Sequence, residues 1–311
     1  MHNIIIDTDP GIDDAMAIFY ALASPEIEVL GLTTVFGNVA TELATENALR
    51  LLEIAGRPDI PVAPGAVRPL VMPYRGPADF VHGADGQGNA GLSAPTTTVL
   101  KERATEFIRK TVLDRPGEVT IVTLGPLTNL ALLLLERPEI AGQVKEVVCM
   151  GGNVHVAGNA SPAAEANILN DPEAADLVLA APWPLTLCGL DVTHRIVMTP
   201  ADLDRIARVN SPAGRHLARI LPYYRAFYET HVGSDGIYVH DSTTISRLLH
   251  PDAFETEAPA LRVDTGDGVG RGKTWVTRET DRPPVTVCVG ADSRRLVNAE
   301  IKTLEHTAQA G

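Results

Sequence analysis

Within its first thirty-five residues the chain reads strand, helix, strand. Residues 4–6 are consecutive isoleucines, residues 15–23 form an apolar helical stretch, and residues 27–35 are a second, mostly apolar run. Two such strands joined through a helix make a βαβ unit, which requires parallel strands and a right-handed crossover. Strands that are apolar almost throughout belong to a sheet covered on both faces. The alternation continues: the spacing predicts helices over 41–55, 101–113, 127–135 and 172–180, and strands over 60–63, 119–124, 144–150 and 185–190. The expected architecture is therefore α/β, a mainly parallel open sheet with helices on both faces and ligands held beyond the carboxyl ends of its strands. Residues 64–95 carry no sustained period and are dense in Gly and Pro, the mark of a functional or mobile segment. Residues 200–250 read as mainly helical, and the stripe of Tyr223, Tyr224, Phe227 and Tyr228 reads as core. Short β-rich runs at 261–263, 273–277 and 285–289 are expected to extend the sheet. With no repeat, low-complexity tract or linker, residues 1–311 are expected to form a single domain.

Charge narrows the partners. Lys and Arg number 26 against 39 Asp and Glu, a net charge of −13, which disfavours nucleic acid and anionic membranes but not cations. Cys149, Cys188 and Cys288 are odd in number, far apart and set in apolar runs, so they read as buried thiols of a reducing compartment rather than disulfides or zinc ligands. The opening residues form no basic leader, and no apolar run approaches the roughly 18 residues that span a bilayer. A cytoplasmic location is the expectation.

The first strand ends in Asp7, Asp9, Asp13 and Asp14, four carboxylates in eight residues around Pro10-Gly11. A helix cap would account for one or two of them. All four at one strand end repel each other unless a cation resolves the charge, and hard oxygen ligands favour Ca²⁺ or Mg²⁺ over zinc. Later strand ends add Asn38, the 124–129 segment LGPLTN, Met150-Gly151-Gly152-Asn153, Gly158-Asn159, and Glu165-Ala166-Asn167 before Asp171, an expected N-cap ahead of Pro172. Amides and carboxylates without Lys, Arg or a P-loop suit an uncharged, hydroxyl-rich ligand such as a sugar better than a phosphate. His240-Asp241 completes the set, the histidine as a candidate acid.

These blocks resemble the inosine–uridine-preferring nucleoside hydrolase family. The residues that carry the resemblance are DTDPGIDD at 7–14, Gly37-Asn38, His82-Gly83, LGPLTN at 124–129, Met150-Gly151-Gly152, Glu165-Ala166-Asn167 and His240-Asp241, in the family's order and spacing. The resemblance implies a Ca²⁺-dependent N-ribohydrolase acting on a small ribonucleoside, in a family that commonly forms dimers or tetramers. It implies that Asp9, Asp14, Asp241 and the Leu124 carbonyl hold Ca²⁺. It assigns Asp13, Asn167 and nearby Asn38 to the ribose diol, Asn159 and Glu165 to the 5′-hydroxyl, and Met150 to the ribose pocket. It also implies that His82 and His240 face the nucleobase. Two positions depart from the family: Ala166 stands where an aromatic residue is frequent, and Ser242 where proline is.

An N-glycosidic bond breaks through an oxocarbenium-like ribosyl group, so the site needs an activated water, negative charge near the sugar and a proton for the base. Asp9 is the expected general base and His240 the expected acid, with His82 as rival donor. Residues 64–95 and 223–238 are expected to close over the nucleoside. A haloacid-dehalogenase-like phosphohydrolase also begins with Asp-x-Asp after a first strand, but Pro10-Gly11, the two extra aspartates and the absence of basic strand ends count against it. A Ca²⁺-dependent nucleoside-binding protein without activity is the other alternative, and the presence of both a base and an acid weighs against that.

Overall fold

The computed structural model describes residues 1–279 and 281–307. Its strands are β1 (His2–Thr8), β2 (Ile27–Thr34), β3 (Val62–Pro64), β4 (Val119–Thr123), β5 (Glu146–Met150), β6 (Leu185–Cys188), β7 (Val197–Met198), β8 (Ile237–Tyr238), β9 (Phe254–Glu257), β10 (Leu261–Val263), β11 (Thr274–Val276) and β12 (Thr286–Ala291). Eight of them form one sheet in the order β3-β2-β1-β4-β5-β6-β12-β9. Every pairing is parallel except β12 with β9, which is antiparallel and closes one edge. The isoleucines of β1 show why this strand is central. Ile4 and Ile6 pack into the core on one face and Ile5 into the core on the other, all three without exposed surface. Helices Ile12–Ala23, Thr41–Ile54, Pro212–Phe227, Ser242–Leu249 and Ser293–Thr307 cover the first face, and Ala104–Asp114, Thr128–Glu136 and Pro172–Leu179 the second.

The strand order reverses at β1: the chain moves outward through β2 and β3, then returns to place β4 on the other side of β1. Loops leaving β1 and β4 therefore diverge and open a crevice at the carboxyl end of the sheet, where open α/β sheets bind ligands. Asp9 follows β1 and Leu124 follows β4, so the acidic motif and the LGPLTN motif face each other across that crevice.

The α/β reading and the parallel strands from 4 to 188 hold. The tail differs. β10 and β11 pair only with each other, as an antiparallel hairpin outside the main sheet, while β9, an edge strand of sequence FETE, joins it. Residues 293–307, for which the β-rich reading of the tail gave no helix, form a helix whose apolar side chains at Leu296, Val297, Ile301 and Leu304 recur at helical spacing and are buried. The strand expected to reach residue 190 stops at Cys188, because Gly189 and the short helix Leu190–Thr193 follow. Residues 223–238 split into the end of the helix Pro212–Phe227, a π-helical turn Tyr228–Val232 and the short β8. All three cysteines are free and buried, with the sulfurs of Cys188 and Cys288 3.9 Å apart. No described helix is long and apolar enough to cross a membrane.

Candidate active site

Asp9 emerges from β1 into a slot bounded by two glycines. A Cβ on Gly37 would lie 1.9 Å from Asp9 Oδ2, and one on Gly125 would lie 2.5 Å from Oδ1. Only glycine lets the β2 and β4 loops close on this carboxylate. The Asn38 backbone N–H donates to Asp9 Oδ2 at 2.6 Å, and the Asn38 side-chain amide donates to Asp14 Oδ2 at 3.0 Å, so one residue bridges both aspartates. Asp14 also accepts from the Gly11 N–H at 2.9 Å and from the Thr8 hydroxyl, which fixes it at the start of helix Ile12–Ala23. Asp7 lies one layer deeper. It accepts from Thr33 and from the Asn129 amide, and its own carbonyl accepts the Leu124 N–H at 2.8 Å, tying β1 to the loop after β4.

Carboxylate oxygens of Asp13, Asp14 and Asp241 lie within 4.8 Å of one another. Asp9 borders this group. Burial first, then repulsion from neighbouring aspartates, pushes the carboxyls of Asp9, Asp14 and Asp241 above the usual range. Burial alone takes Asp13 up to about 6 and Asp7 to about 7. Asp9 Oδ1 and Asp13 Oδ1 are buried and accept no hydrogen bond. Bare, mutually repelling carboxylate oxygens without any nitrogen or sulfur donor are the donor set of a hard divalent cation. The residues therefore fit a metal ion, with Asp13 joining the expected ligands.

On the opposite side lie rings and hydroxyls. His82 Nδ1 accepts the Ile12 N–H at 3.2 Å, leaving its Nε2 as the donor, and its ring stacks on Tyr224 at 5.7 Å. Tyr224 donates to Asp13 Oδ2 at 3.0 Å, lies 3.4 Å from the Tyr228 hydroxyl, and Tyr228 in turn lies 3.0 Å from His240 Nε2. His240 Nδ1 meets the Thr193 hydroxyl at 2.9 Å. Because a carboxylate only accepts, the chain has a direction: Thr193 to His240, to Tyr228, to Tyr224, to Asp13. That direction puts the His240 proton on Nε2. Burial, then the neighbouring His194 and His82, lowers His240 to about 3, and burial lowers His82 to about 4. Both imidazoles are therefore neutral near pH 7.

Asn167 donates to the Leu124 carbonyl at 2.7 Å, the Met150 carbonyl at 3.2 Å and the Met150 sulfur at 3.4 Å, joining the ends of β4 and β5. Leu124 and Met150 thus sit in the crevice, the Leu124 carbonyl already accepting one bond. Glu165 serves as the N-cap of helix Ala166–Asn170, with both oxygens taken by the N–H groups of Gly152, Asn167 and Ile168. Asn159 is exposed and its Oδ1 accepts the Ala166 N–H at 3.0 Å, so it shapes this loop from outside. Asp171 caps helix Pro172–Leu179 as expected.

The fold thus gathers Asp9, Asp13, Asp14, Asp241, Asn38, His82, Leu124, Met150, Asn167 and His240 around one crevice, with Glu165 buried behind Asn167 as a helix cap and Asn159 on the exposed side of that loop. Tyr224, Tyr228 and Thr193 join them although the tyrosines read as core. Their spacing of four on one helix face was the available signal, but a ring that is both core and hydroxyl donor looks like core in sequence.

The sequence profile described as inosine-uridine preferring nucleoside hydrolase matches residues 4–298. A probable uridine nucleosidase 2 of Arabidopsis thaliana is 44% identical over 306 residues, 95% of each chain. The solved plant nucleoside hydrolase PpNRh1 superposes with a TM-score of 0.95 at 40% identity, covering 98% of this chain and 99% of its own. A purine-preferring ribonucleoside hydrolase from Gardnerella vaginalis superposes with a TM-score of 0.94 at 32% identity, covering 99% of this chain and 100% of its own.

Proposed function

The chain belongs to the inosine-uridine preferring nucleoside hydrolase family and is a hydrolase of ribonucleosides, and from that premise we propose that it is a Ca²⁺-dependent enzyme cleaving the N-glycosidic bond of uridine. The observation that carries the reading is the pair of bare carboxylate oxygens, Asp9 Oδ1 and Asp13 Oδ1, facing a hydroxyl relay that ends at His240. Asp9, Asp14, Asp241 and the Leu124 carbonyl would hold the ion, with Asp13 beside them. When bound, it supplies Lewis acidity and cancels the repulsion among the aspartates. An all-oxygen set suits a hard divalent cation, Ca²⁺ is the one the family resemblance implies, and uridine follows the 44% identical relative.

Asp9 acts as base. Its raised affinity for protons and its free Oδ1 equip it to take a proton from the attacking water while Oδ2 stays anchored on the Asn38 N–H. Asp13, Asn167 and Asn38 orient the ribose hydroxyls, with Met150 as the floor. Negative charge around the sugar stabilises the oxocarbenium-like transition state. The departing base needs a proton, and His240 is the acid we assign to it, set in the hydrogen-bonded chain of Thr193, Tyr228 and Tyr224 that ends on Asp13. His82 offers its Nε2–H to a base carbonyl. Ala166, where the family frequently carries an aromatic residue, leaves a wider or differently walled pocket.

Ribose release from uridine, measured with chelator and after Ca²⁺ is restored, tests the reading. Activity should vanish and return; full activity in excess chelator overturns the metal assignment, and no ribose release under any condition overturns uridine as substrate.

A further inference from the structure

Asp241 occupies the N-cap of helix Ser242–Leu249, yet its side chain makes no capping hydrogen bond and points instead into the carboxylate cluster. The start of the helix is closed by the three residues that follow. Thr243 donates to the Val239 carbonyl, Thr244 donates to the Asp241 carbonyl at 2.7 Å, and Ser242 donates to Glu300 Oε1 at 2.8 Å. Ser242 stands at the first helical position, where a proline ring would preset φ unaided. Serine supplies no such restraint, so something else must hold the backbone that carries Asp241.

Glu300 is out of place by composition. It sits on the apolar stripe of the C-terminal helix, among Leu296, Val297, Ile301 and Leu304, and is 1% exposed. An ionisable group there is costly unless it is hydrogen-bonded, and a leucine would fill the same stripe at no such cost. Beside it, the fully buried Tyr20 belongs to helix Ile12–Ala23, which carries Asp13 and Asp14. The two helices that bear the cluster thus meet the C-terminal helix around one buried carboxyl.

We infer that the Ser242–Glu300 hydrogen bond does the work of an N-terminal helix proline, so that Glu300 is a positioning residue that holds Asp241 in the cation site. This rests on the reading of Asp241 as a metal ligand. The test is calorimetric titration of the purified full chain with Ca²⁺, with thermal unfolding and circular dichroism alongside. Ser242→Ala and Glu300→Leu should each weaken Ca²⁺ binding about ten-fold or more, the range typical of groups that orient metal ligands. Glu300→Gln keeps an acceptor and should bind as the parent does. Ser242→Pro placed in the Glu300→Leu background should recover the affinity, an outcome that a merely structural glutamate would not give. Parental Ca²⁺ affinity in folded Glu300→Leu or Ser242→Ala overturns the inference. Asp241→Ala separates the two readings: if it loses Ca²⁺ while the Ser242 and Glu300 variants do not, only this inference fails. If Asp241→Ala also binds normally, the ligand assignment fails and the inference falls with it.

Discussion

Asp9 has one oxygen pinned by the Asn38 N–H and one with no partner, the division of labour a general base needs. Asp9→Asn keeps the shape and one ligand oxygen but cannot take a proton, so kcat for uridine should fall roughly 10²–10⁴-fold with a small change in KM; steady-state kinetics at saturating Ca²⁺ would read it, and an unchanged kcat would assign the base elsewhere. The relay makes a sharper claim. Tyr228→Phe and His240→Ala both break it, so both should slow uridine strongly and leave p-nitrophenyl riboside nearly untouched, since that leaving group departs without a proton. Equal loss on both substrates would mean the two side chains only shape the pocket. The acidic residues were legible in the sequence because carboxylates crowded at a strand end are costly without a ligand, and His240 only through its place beside Asp241 and the family resemblance. Tyr224 and Tyr228 were not, because burial of the ring hides the direction of the hydroxyl. Glu165 was legible as a polar site residue, but its capping of helix Ala166–Asn170 depends on N–H groups that only the folded loop brings to it.

Period and burial made the parallel strands readable, since a sheet covered on both faces leaves apolar runs that no loop would carry. The edge was harder. FETE in β9 alternates too briefly to mark a strand, and its place is set by antiparallel pairing with β12. Two elements outside the sheet flank the crevice. Helix Asp79–His82 hangs on the Tyr223 hydroxyl, which donates to the Asp79 carbonyl at 2.9 Å, and its His82 grips the Ile12 N–H. The segments 64–95 and 223–238 should exchange amide hydrogens more slowly once a ribose-like inhibitor is bound. Mass-spectrometric exchange identical in the free and bound protein would show that neither segment closes.

At the scale of the whole molecule the buried charges make stability depend on pH in a way a metal should reverse. Asp7, Asp13 and Glu300 stand at about 7, 6 and 8, above their unfolded values, so the folded chain binds more protons than the unfolded one over that range. Without metal, acidification from about pH 8 towards 6.5 should therefore raise the Tm. Further acidification is opposed by His82, His216 and His240, lowered to about 4, 4 and 3, because the unfolded histidines then take up protons first. Ca²⁺, which needs the ionised cluster, should raise the Tm more at pH 8 than at pH 5.5; scanning fluorimetry with and without chelator would show it, and an equal gain at both values would contradict it. The strand reversal at β1 has one more consequence. Groups assigned to the sugar follow the ends of β1, β2 and β5, whereas His82 and the relay residues Tyr224 and Tyr228 ride on the short helix before Gly83, the helix Pro212–Phe227 and the π-turn after it, with His240 joined to the cluster through its neighbour Asp241. The two sets of assigned groups thus lie largely on separate pieces of chain, joined at His240-Asp241, so substitutions in the peripheral helices should alter nucleobase preference more than the grip on ribose.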